Sequence, residues 1–139
     1  MKGKEHTLKI DTRLGKEEIH VLENGAGPRR FLVWHGFDSV NRFYHWKYLQ
    51  KYGQVIRVGL PGHGPVREKH RAHYQRWTAD HFAEIAIGVC KRYRSGIPIT
   101  AVGHSTGAYM ALNAAIREPQ LVGRLVLINP LIWSPAKML

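Results

Sequence analysis

The sequence predicts an α/β fold: a mostly parallel sheet of about six strands with flanking helices. Three observations carry this. Short β-type runs alternate with helix-length segments along the 139 residues. Two of the runs, at residues 97–103 and 123–129, hold compact apolar stretches of the kind found in buried strands. The pentapeptide at 103–107 joins the first of these directly to an alanine-rich helical segment.

The elements follow in order. Residues 7–13 and 18–23 read as two strands around a turn near Gly15, and Asn24-Gly25-Ala26-Gly27-Pro28 is a turn cluster. Phe31-Leu32-Val33-Trp34 is a compact apolar strand. Residues 40–52 place Phe43, Trp46, Leu49 and Tyr52 at three-residue steps, a drifting helical stripe that Gly53 ends. Residues 54–60 form the next strand, followed by Pro61-Gly62-His63-Gly64, and residues 65–77 read as a basic loop. Thr78 is the N-cap of a helix with Asp80 in its first turn and Phe82, Ile85, Ala86 and Val89 on one stripe. The strand at 97–103, the helix at 106–117 and the strand at 123–129 complete the alternation, and residues 131–139 are a short tail.

Length and composition bound the rest. The chain suffices for one domain and is short for two, so residues 1–139 are expected to form a single unit. Its hydrophobic content of 44% argues against wholesale disorder. No apolar run approaches the ~20 residues of a membrane span. The opening Met1-Lys2-Gly3-Lys4-Glu5-His6 leads into no secretory core, and Cys90 has no second cysteine to pair with. A cytoplasmic protein is expected. The net charge of +11 is most concentrated in the middle of the chain, where His63, His70, His73 and His81 also lie. It permits salt-sensitive attraction to polyanions, but no reader module accompanies it, so no specific nucleic acid is expected. No H-E-x-x-H or cysteine cluster is present, so no metal and no cofactor are expected.

The chemistry is concentrated in Gly103-His104-Ser105-Thr106-Gly107, a G-x-S-x-G string. Placed between a buried strand and a helix, it has the context of a nucleophile elbow. Small residues at 103 and 107 permit a tight turn, the turn presents the Ser105 hydroxyl, and the amino end of the next helix offers free N–H groups. His35-Gly36-Phe37 follows one strand, and Pro61-Gly62-His63-Gly64 follows the next.

These three motifs, in this order and each at a strand's carboxyl end, resemble the α/β-hydrolase superfamily over about residues 18 to 133. The resemblance implies Ser105 as nucleophile and Phe37 and Thr106 as donors of oxyanion N–H groups. His35 and Gly36 would shape that loop as binding residues, with His63 near the site mouth. His104, beside the nucleophile in sequence, should point elsewhere. A small acyl substrate, carrying an ester, thioester or related bond, is implied.

The sequence departs from the superfamily where the triad should close. There the acid and then the histidine follow the nucleophile. After Ser105 this chain has no histidine and one carboxylate, Glu118. Position 59 is Gly where an Asp is frequent in the superfamily. The expectation is an incomplete α/β-hydrolase fold: an amino-terminal half ending after the sixth strand, weakly active or inactive alone. Its sixth strand would be an exposed edge open to self-association or to a complementing chain. The alternatives are a non-catalytic scaffold that binds a partner at that edge, polyanion binding by the basic middle, and a makeshift triad drawing on His35, His63 or Asp38.

Overall fold

The computed structural model describes residues 3–36, 46–62 and 78–131. Two β-strands open the chain, β1 (Lys4–Thr12) and β2 (Gly15–Asn24), followed by β3 (Arg30–Trp34). A 3-10 helix spans Trp46–Lys51 before β4 (Gln54–Val58). Helix α1 (Ala79–Arg92), β5 (Ile99–His104), helix α2 (Thr106–Arg117) and β6 (Val122–Ile128) complete the order. The strands form one six-stranded sheet in the order β1-β2-β4-β3-β5-β6. β1/β2 and β2/β4 pair antiparallel, while β3/β4, β3/β5 and β5/β6 pair parallel. The expected fold class is therefore observed.

Local chemistry explains the elements. The β1–β2 hairpin turns through Gly15, at φ 111°, and the Thr12 hydroxyl closes the turn on the Gly15 carbonyl. β3 and β5 lie inside the sheet, and Leu32, Val33, Trp34, Ala101 and Val102 are buried. Helix α1 begins where Thr78 accepts a hydrogen bond from the His81 N–H at 3.2 Å. Its stripe of Phe82, Ile85, Ala86 and Val89 joins Ile19, Leu32, Trp34, Ile56 and Met110 in the main core. A smaller cluster of Val33, Val55 and Val102 is covered by Phe31, Trp46 and Leu49.

The segment expected as a helix over 40–52 is described only from Trp46, and there it is a 3-10 helix. The three-residue spacing accounts for this, because positions i and i+3 superpose at 3.0 residues per turn. Trp46 and Leu49 thereby reach the same apolar cluster, whereas Tyr52 lies past the helix and is exposed. Strand β4 ends at Val58 rather than 60, and β5 begins at Ile99 rather than 97. The basic segment of 65–77 and most of the tail lie outside the described residues.

Among the described residues β6 has a strand neighbour on one side only. Leu125 and Leu127 pack on the main core, while Val126 and Ile128, on the alternate face, are 45% and 36% exposed. Among the described residues no helix is long and apolar enough to cross a membrane.

Candidate active site

β5 leads without a loop into α2, and Ser105 forms the joint. Its backbone sits at φ 52°, ψ −116°. Positive φ is strained for a residue with a Cβ and costs roughly 1–3 kcal/mol, which the surroundings must hold in place. They do so through three backbone hydrogen bonds. The Ser105 N–H donates to the Ile128 carbonyl at 3.1 Å, and the Ser105 carbonyl accepts from Tyr109 N–H and Leu131 N–H, each at 3.2 Å.

The two motif glycines show why the bend needs them. A Cβ on Gly103 would stand 2.5 Å from the Ala108 Cα, and one on Gly107 would stand 2.5 Å from the Trp34 carbonyl oxygen. Strand and helix therefore approach backbone to backbone. Ser105 occupies the N-cap position of α2, where serine ordinarily bonds the first-turn N–H groups. Here its side chain makes no such bond. The hydroxyl is not committed to the helix, and the first-turn amides keep their donor capacity beside it.

The loop after β3 meets this bend. A Cβ on Gly36 would lie 3.3 Å from the Ser105 Cβ and 3.0 Å from His104 Nδ1. His35 is buried, and its Nε2 accepts the Leu60 N–H at 3.1 Å. Nδ1 must then carry the hydrogen, which it donates to the Gly36 carbonyl at 2.6 Å. His35 thus ties the loop after β3 to the segment after β4.

The site sits on a recognisable chain. Residues 31–138 match the profile of the Alpha/beta hydrolase family. The chain belongs to that family. Among its relatives, Lipase LipV of Mycobacterium tuberculosis is 31% identical over 119 residues, which are 83% of this chain and 42% of that protein. The 2-(acetamidomethylene)succinate hydrolase of Mesorhizobium japonicum is 28% identical, over 90% of this chain and 44% of that protein. A thermophilic esterase from Thermogutta terrifontis superposes with a TM-score of 0.72 at 22% identity, over 90% of this chain and 46% of its own. An epoxide hydrolase from Vigna radiata superposes equally well at 19% identity, over 91% of this chain and 38% of its own. The chain therefore spans less than half the length of these hydrolases.

Of the residues singled out in the sequence, Ser105, Thr106, His35 and Gly36 come together at the carboxyl ends of β3 and β5. Thr106 is buried as the first residue of α2. Phe37, Asp38 and His63 lie outside the described residues. Glu118 follows the far end of α2, twelve residues on, about 18 Å along the axis. Sequence reasoning missed the role of Leu60, whose N–H engages His35. It also missed the buried pair of Glu17 on β2 and His81 on α1, 3.1 Å apart. Those partners are 64 positions apart and belong to no local motif. Among the described residues no group of three His, Cys, Asp or Glu could hold a metal ion.

Proposed function

We propose that this chain carries the nucleophile-bearing part of a serine hydrolase that cleaves an ester, thioester or related acyl bond in a small molecule. Ser105 is the nucleophile, and the N–H groups of Thr106 and Phe37 stabilise the oxyanion. His35 and Gly36 shape the oxyanion loop, and His63 is assigned as a further binding residue. The observation carrying this reading is Ser105 itself: a non-glycine residue at positive φ, between strand and helix, whose side chain leaves its own helix uncapped.

Such a hydroxyl needs a proton acceptor. His35 has its Nε2 lone pair on the Leu60 N–H, which argues against it as the base. The sequence after Ser105 holds no histidine. In this reading residues 1–139 form a single partial hydrolase domain. The base and its acid come from polypeptide outside these residues, and the isolated chain is slow or inactive. Residual turnover of activated esters fits an oxyanion site working without its base. A cytoplasmic setting belongs to the same reading, in keeping with the single, buried cysteine.

A second reading is a non-catalytic hydrolase-like scaffold that binds a partner or a second copy along β6. The exposed Val126 and Ile128 favour it. A fluorophosphonate probe separates the two. Labelling at Ser105 that is slow without the base, and abolished in Ser105→Ala, is expected for the hydrolase part; a folded chain that stays unlabelled on prolonged exposure supports the scaffold.

A further inference from the structure

At the opposite end of the sheet from Ser105, the first residues of β3, β5 and β6 border a cleft of about 280 Å³. Phe31 pairs with Thr100, and Thr100 with Arg124, so these three side chains stand in one row on one face of the sheet. A register shift brings Arg124, rather than Gly123, opposite Thr100. Pro98 forms a wall, and Arg29 and Arg30 complete the lining.

Among the described residues nothing compensates the charge of this cleft, and no carboxylate lines it. Elsewhere the surface guanidinium groups of Arg13 and Arg117 are neutralised by Asp80 and Glu84. Arg29, Arg30 and Arg124 have no acidic partner among the described residues. Arg30 is held in place by donating from Nη1 to the carbonyls of Tyr93, at 2.6 Å, and Arg94, at 3.2 Å. Its Nε is shielded from solvent and has no hydrogen-bond partner. Arg30, next to Phe31 on β3, turns its guanidinium to the other face of the sheet, so Arg29 and Arg124 carry the charge beside this partly apolar hollow. An anion between these two like charges relieves their repulsion and offers acceptors to both guanidinium groups.

We propose that this cleft binds a small organic anion, a carboxylate or phosphate joined to a compact apolar group. The anionic end lies between Arg29 and Arg124 within reach of the Thr100 hydroxyl, and the apolar body rests on Phe31 and Pro98. The cleft stands about 17 Å from the nucleophile along β5, so this is a site separate from the one proposed for acyl chemistry.

The test is titration of the full chain by calorimetry and by amide NMR, with benzoate, phenyl phosphate and the neutral isostere benzyl alcohol as probes. Saturable one-to-one binding of at least one anion is expected, with shifts centred on Phe31, Thr100 and Arg124 and no saturable binding of benzyl alcohol. Arg29→Ala and Arg124→Ala, both at exposed positions, should each weaken it at least tenfold, whereas Lys16→Ala should not. Non-saturating binding, or an equal loss in Lys16→Ala, would mean diffuse attraction to a basic protein and would overturn the site. So would binding of poly-glutamate with no response to either small anion, which would point to an acidic polypeptide instead. None of these readouts involves Ser105, so the outcome is independent of the proposed hydrolase activity.

Discussion

Gly107, in the first turn of α2, rests against the backbone of Trp34, where a Cβ would stand 2.5 Å from the carbonyl oxygen. The obstacle is backbone in a central strand and cannot rotate away. Gly107→Ala should therefore destabilise the chain by about 1–3 kcal/mol, the usual cost of overpacking, in urea unfolding followed by circular dichroism. Gly96→Ala is the control: nothing lies within 4 Å of a Cβ there, so little change is expected.

Ser105 makes an opposite prediction. Glycine tolerates φ 52°, ψ −116° without the strain that a side chain adds. Ser105→Gly should raise stability by about 1 kcal/mol in the same unfolding assay, while Ser105→Ala retains the strain and leaves stability little changed. Both should abolish probe labelling. Equal stability of the Gly and Ala variants would mean that the bend is unstrained.

A third expectation concerns acid. The Arg117 guanidinium, bonded to Asp80, holds that carboxyl below its ordinary 3.8, with Arg13 adding to the effect. Partial burial would push Glu84 up, but the Arg13 backbone N–H and guanidinium outweigh it and leave the group below 4.5. Carboxyls depressed in the folded state stabilise it above their unfolded pKa and cease to do so as pH falls through the folded one. Urea midpoints should therefore fall as pH drops below about 4.5. Arg13→Ala, which unties the hairpin turn from α1, should flatten that part of the profile.

Cys90 gives a simpler readout. It is fully buried on α1, and desolvation pushes its thiol up to about 12. At pH 8 a disulfide reagent such as dithionitrobenzoate should leave it untouched in the folded chain and react once urea unfolds it. Rapid reaction in native buffer would show that α1 opens easily.

The exposed face of β6 should also be measurable. Val126 and Ile128, on a strand with one neighbour among the described residues, favour pairing with another chain. Light scattering is expected to show concentration-dependent association, reduced by Val126→Lys. A monodisperse monomer at all concentrations would argue against an adhesive edge.

Much of this fold was legible because its signals are local. The Ser105 bend could be read from five residues, since the strand before it, the glycines around it and the helix after it are contiguous. The Thr78 cap was equally local. The 3-10 helix is visible as spacing but its type is not, because three-residue steps fit either helix over so few turns. What could not be read was contact between distant segments. Leu60 donating to His35, the Glu17–His81 pair and the arginines beside Thr100 depend on the sheet order, which no single stretch encodes.

The bond from Ser105 N–H to the Ile128 carbonyl has a mechanical corollary. Among the described residues, β6 borders the sheet on one side and is fastened directly to Ser105. If another chain pairs along that margin, as the second reading proposes, it pulls on the same peptide group that seats the serine.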